Sequence, residues 1–217
     1  MQNIHRILIF LALVPSLSNT QTKYLSDGER GIGVNANYSS LNKTDNFAFN
    51  LGVSHNNRFG FGIHYGSASI INSLGGYVEW NIVRPTTRLP FGVVTGFAVT
   101  KSWFSETIYT GNTFMNLQAY NTIAFGVVST QVSLEGYALI KLGETFSIYP
   151  TATFSRAWSS TSPKGYYRNE PINGYAFTID GAIKLSEKTI MILLPGYLIV
   201  KDISSGAVGV SIIRFLD

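Results

Sequence analysis

From Arg58 to Gly66 the chain reads RFGFGIHYG, with Phe59, Phe61, Ile63 and Tyr65 at every second position and Gly60, Gly62, His64 and Gly66 between them. A period of two marks an extended strand, because successive side chains of a pleated backbone leave on opposite faces. One face is therefore aromatic and aliphatic, and the other is almost bare. In a soluble sandwich the face opposite the core carries charges and hydroxyls toward water. Glycine in a strand is entropically costly and marks a bend, a bulge or close packing. The bulky face asks for an apolar surrounding, and the bare one for a crowded interior.

The pattern recurs in segments of the length a membrane strand needs, roughly 9–11 residues. It runs through Gly31–Ser39, Asn46–His55, Leu74–Arg84, Pro90–Trp103, Thr130–Leu142, Thr145–Trp158 and Gly174–Leu185. Two further apolar runs, Thr189–Val200 and Gly206–Leu216, alternate poorly. With the opening stretch that makes ten strands, and eight or twelve are the neighbouring even counts. Every connection reads as a turn or loop, so antiparallel neighbours are the economical topology. Asn116–Ser129 breaks the parity, since Ile123, Phe125 and Val127 are odd-numbered while Val132 and Leu134 are even. An eleventh strand would give an odd count, so a bulged extension of the next strand or an ordered external excursion is expected. Pro150 and Pro195 fall inside strands and each predicts a bulge.

Only 13% of the 217 residues are charged, about half the usual quarter. A net charge of +4 with no basic run gives no reason to expect nucleic acid. Residues 1–20 read as a secretory signal, with His5 and Arg6 before the apolar run Ile7–Val14 and small residues Ser16 and Ser18 for cleavage. The mature domain is then 21–217. Its lack of cysteine excludes a disulfide framework and an N-terminal lipid anchor. No later stretch suits a transmembrane helix, so a membrane would be crossed by strands.

Connections alternate in length. Short ones fall at Asn56-Asn57, Pro85–Leu89, Gly143-Glu144 and Ser186–Lys188, and longer ones at Ser40–Asp45, Ser67–Ser73, after Phe104 and at Ser159–Asn173. Short turns on one rim and long loops on the other are the asymmetry of an outer-membrane barrel. With the short turns periplasmic, Tyr38, Phe47, Tyr65, Trp103, Trp158 and Tyr175 sit at the outer strand ends, and Phe59, Phe91 and Phe146 at the inner ends. Two aromatic belts are what bilayer interfaces select. On this pattern, signal and asymmetry, residues 30–217 resemble the small bacterial outer-membrane β-barrel family, the OmpA-like and OmpX-like class. The resemblance implies an all-β, closed, antiparallel up-and-down transmembrane barrel, inserted by the barrel assembly machinery as a monomer among outer-membrane lipid and lipopolysaccharide. Family members usually end in an aromatic residue, whereas here Phe215 stands two places early.

The alternation assigns His64, Glu79, Glu135, Lys141, Asp180 and Lys184 to the lumen, where buried charges must pair. A polar network that plugs a narrow interior is the expected outcome, because open channels appear at about 16 strands. Catalysis is weighed against this. A lipid A deacylase of this architecture resembles His-x-Ser, but the residues are His64-Tyr65-Gly66, and an omptin-type protease needs acidic pairs that Asp45 and Glu106 do not form. No catalytic, cofactor or metal site is expected. The function indicated is a non-enzymatic outer-membrane protein of structural, adhesin-like or small-pore kind. The alternatives are a barrel hydrolase using His64, or a secreted barrel that turns Phe59, Phe61 and Phe97 inward around an apolar ligand. Lys164, Arg168, Tyr166 and Tyr167 on the longest external loop are candidate contacts for lipopolysaccharide phosphates.

Overall fold

The computed structural model describes residues 22–26, 28–41, 44–68, 71–109, 120–162, 171–200 and 203–216. The expected signal at 1–20 and the loop residues Lys164, Tyr166, Tyr167 and Arg168 lie outside them. After a single 3-10 turn at Thr22–Tyr24 come twelve strand segments. They are β1 (Arg30–Leu41), β2 (Thr44–His55), β3 (Phe59–Ala68), β4 (Ile71–Val83), β5 (Phe91–Tyr109) and β6 (Tyr120–Ala138), then β7 (Ile140–Lys141), β8 (Phe146–Ser162), β9 (Ile172–Ser186), β10 (Thr189–Leu193), β11 (Gly196–Val200) and β12 (Ile203–Leu216). β6 with β7, and β10 with β11, are each one interrupted strand. Ten antiparallel strands therefore circle the barrel, and β1 pairs with β12 from Arg30↔Leu216 to Ser39↔Ala207 to close it. Closure removes every sheet edge, which is the condition for crossing a bilayer with strands.

The hairpin turn His55–Arg58 shows how local sequence sets register. Asn56 and Asn57 adopt φ of 56° and 44°, the left-handed pair of a tight hairpin that asparagine tolerates. The resulting pairs His55↔Phe59 and Gly52↔Gly62 fix β2 against β3.

The faces sort as the alternation requires. Ile32, Phe49, Leu51, Phe61, Ile63, Val78, Phe97, Leu134 and Phe177 are exposed on the outer surface, Phe61 by 57%. Asn35, Asn50, Ser54, His64, Thr100, Gln131, Ser155 and Ser211 are buried inside. This excludes the inverted soluble barrel. Tyr38 packs on Phe47 with ring centroids 5.2 Å apart and Phe154 on Tyr175 at 5.4 Å, at the outer ends of their hairpins. At the inner end Phe59 stacks on Trp80 at 6.1 Å. Tyr65, Trp103, Trp158 and Phe91 are exposed on the same surface. Phe146 is only half-buried, and Phe215 turns inward against the interior cluster of Leu25, Tyr137 and Ile213. Leu216 takes the lipid-facing position at that rim.

Four expectations are corrected. Tyr120–Ala138 forms a regular strand, paired without a shift from Tyr109↔Tyr120 to Phe91↔Ala138, so no bulge separates the two parities. Val127 is simply an apolar residue pointing inward. The prolines interrupt ladders without shifting register. Pairing of β8 stops at Tyr137↔Thr151 and resumes at Ile140↔Ile148 around Pro150. Around Pro195, Leu194 keeps both hydrogen bonds to Gly209, and Ile179 N–H donates to the Pro195 carbonyl. The expected outer loops at 40–45 and 67–73 are largely strand, since the hairpins continue to Leu41↔Thr44 and Ala68↔Ile71. Finally, Asp45 lies in β2, where its carboxylate accepts from the Tyr38 hydroxyl at 2.7 Å.

Candidate functional site: a lumen sealed by its own chain

The bare strand face is explained by what lies across it. A Cβ on Gly60 would stand 2.5 Å from Glu79 Oε1, and one on Gly62 2.7 Å from the Tyr77 ring. Gly75 and Gly92 similarly leave room for the His64 and Tyr137 rings. Long lumen side chains lie flat over glycines on neighbouring strands, which lets a narrow barrel hold them.

Three of the expected lumen residues are gathered by a segment outside the barrel wall. Glu79 on β4, Glu135 on β6 and Asp180 on β9 are all buried. The Thr22–Tyr24 turn enters between them. Thr22 N–H donates to Glu79 Oε1 at 2.9 Å. Lys23 Nζ lies 2.8 Å from Glu135 Oε1 and 2.7 Å from Asp180 Oδ2, with side-chain exposures of 3%, 5% and 0%. Thr151 Oγ1 accepts from Lys23 at 3.3 Å, and the Tyr24 hydroxyl donates to Asp180 at 2.8 Å. Burial disfavours the Lys23 ammonium, but Asp180 and Glu135 outweigh it, and its pKa is raised above the ordinary lysine value. Below the turn, Leu25 packs with Tyr149, Ile190, Ile192 and Ile213, and Asn57 Nδ2 donates to the Leu25 carbonyl at 3.1 Å.

The remaining lumen candidates lie elsewhere. His64 belongs to a separate layer, where Nε2 is 2.8 Å from Thr100 Oγ1 and Nδ1 has no partner among the described residues. Lys141 and Lys184 are exposed near the inner rim, and Lys184 pairs with Glu187 at 2.9 Å. Both stand on the inward parity of their strands, Lys141 lining the cavity beneath the turn, but at hairpin ends open to water, which solvates an ammonium at no cost. The cation that serves the lumen is Lys23. Its signal in the sequence was a mismatch of charge on the inward face: three carboxylates mid-strand, against lysines of that face only at strand ends.

At the opposite end the interior turns apolar. Ile71, Phe104, Val127, Ile172, Leu198 and Val200 are buried on the inward face of five segments. The lumen thus has an apolar collar at the outer end, a polar middle layer and an ion-paired turn at the inner end. A cavity of about 250 Å³ opens beneath the turn, lined by Lys23, Tyr24, Asn81, Arg84, Tyr137 and Tyr149.

No known family model and no curated protein sequence matches this chain. Solved structures do. The translocator domain of the autotransporter NalP from Neisseria meningitidis aligns over 98% of this chain and 95% of its own, at 8% identity and a TM-score of 0.52. An outer membrane channel from Pseudomonas putida F1 aligns over 90% of this chain and 98% of its own, at 9% identity and a TM-score of 0.50. At such identities the likeness is one of fold. Taken with the apolar outward belt, the chain has the fold of a small outer-membrane β-barrel.

Proposed function

We propose that this protein is a non-enzymatic outer-membrane scaffold whose interior is shut by its own side chains and N-terminal turn, leaving its outward surface and loops as the functional parts. The observation that carries this reading is Lys23, buried in the lumen on two carboxylates from β6 and β9, the strands on either side of β8. A water-filled path would leave that ammonium solvated, and the apolar collar would oppose wetting at the other end. Hydrolysis finds less support. Among the described residues the hydroxyl bonded to His64 is that of Thr100, the ring nitrogen that a carboxylate would orient has no partner, and the pair is buried in the lumen. Insertion by the barrel assembly machinery and a monomeric state belong to the same reading.

One solved neighbour is a channel, which makes conduction the property to measure. Purified barrel in a planar lipid bilayer is expected to give no steady single-channel current. A reproducible current of constant amplitude overturns the closed-lumen reading.

A further inference from the structure

The alternation that defines the lipid face also places two cations on it. In β5 the outward residues are Phe97, Val99, Lys101 and Trp103, and in β8 they are Phe154, Arg156 and Trp158. These strands run in the same direction on either side of β6. On each, the base stands one outward position before a tryptophan of the outer belt. The Arg156 guanidinium lies over the Trp158 ring, 5.6 Å from its centroid. Between the two strands Thr130 of β6 faces outward, paired with Val99 on one side and Trp158 on the other. Asn173 of β9 is exposed directly opposite Arg156.

A cation turned toward hydrocarbon is costly unless a headgroup reaches it. Among the described residues neither Lys101 nor Arg156 makes an ion pair. The neighbours that could relieve them are two neutral hydrogen-bonding groups and two rings, which settle at headgroup depth. A ligand matching this patch carries more than one negative charge, offers hydroxyls, and has acyl chains that run down the adjoining apolar wall.

We propose that this face of β5, β6, β8 and β9 binds the phosphorylated disaccharide headgroup of an outer-leaflet glycolipid of the lipid A type. Lys101 and Arg156 take its phosphates, Thr130 and Asn173 its polar groups, and Trp103 and Trp158 hold the site at the interface. Arginine suits this role because its planar fork meets a phosphate with two parallel N–H donors. The site is independent of the lumen, so conductance and lipid retention report on separate claims.

The test is native mass spectrometry of the full, detergent-purified barrel incubated with bisphosphorylated lipid A, with the same lipid after dephosphorylation, and with phosphatidylglycerol. The wild type is expected to retain bisphosphorylated lipid A about tenfold better than either comparator, the scale of a charge-assisted contact. K101Q/R156Q should lose that preference, and R156K should keep part of it. Should the double variant fail to insert, each single glutamine variant must show a partial loss. Equal retention of the phosphorylated and dephosphorylated lipids overturns the proposal. So does equal retention of phosphatidylglycerol, which would mean unspecific attraction of anions, or a preference unchanged in the glutamine variants.

Discussion

Replacing Lys23 by alanine tests the centre of the structural argument. The ammonium is held at 2.8 Å and 2.7 Å by two carboxylates whose side chains are almost wholly buried. Alanine removes the ammonium that bridges Glu135 and Asp180, and leaves two buried acids on strands either side of β8, with the neutral donors Tyr24 and Thr151 beside Asp180 and Thr153 beside Glu135. Removing one partner of a buried ion pair costs about 3–5 kcal/mol, because the remaining charge stays desolvated. An exposed pair is worth about 0–1 kcal/mol. The assay is equilibrium urea unfolding from lipid vesicles followed by tryptophan emission. All three tryptophans, Trp80, Trp103 and Trp158, face lipid, so their emission reports loss of the barrel. K23A should lose about 3–5 kcal/mol, and K23A/E135Q/D180N should recover most of it, since neutral side chains no longer need the ammonium. A loss below about 1 kcal/mol for K23A would refute the reasoning, because it is the value of a solvated pair.

Other outcomes follow from the same geometry. Since the Lys23 pKa is raised, its contribution should be complete below the unfolded lysine value of about 10.4 and should erode only as pH climbs above it. An unfolding midpoint that drops between pH 8 and 10 in wild type but not in K23M would contradict this. Gly75 and Gly76 are adjacent yet opposite in role. Gly75→Ala drives a methyl into the His64 ring and should cost about 1–3 kcal/mol, whereas Gly76→Ala meets its nearest atom at 3.5 Å on the outer surface and should be near neutral by the same urea assay. Phe61→Arg, in the middle of the apolar belt, should cost about 2–4 kcal/mol in vesicles. An unchanged midpoint there would place Phe61 away from hydrocarbon. His64→Ala should leave the acylation pattern of lipid A in cells unchanged by mass spectrometry, and any altered acyl number would revive the hydrolase reading.

The alternation of RFGFGIHYG and its repeats marked eight of the ten strands and the face that meets lipid. Period two is a property of each strand alone, so no knowledge of its partners is needed. The same rule placed Glu79, Glu135 and Asp180 inside before any fold was known. Strand ends were less legible, because hydrogen-bonded hairpins such as Tyr109↔Tyr120 continue past the apolar segment into water, where no alternation is selected. Residues 22–26 carried no periodic signal at all, since a single turn has none, and their role depends on carboxylates 56 or more positions away, as from Glu79 to Lys23. Only the register of β8 between β6 and β9 brings Glu135 and Asp180 within reach of one lysine. The pairing of Lys23, the apolar collar and the cationic outer face are products of register around the ring, and register is a relation between strands that no single stretch of sequence contains.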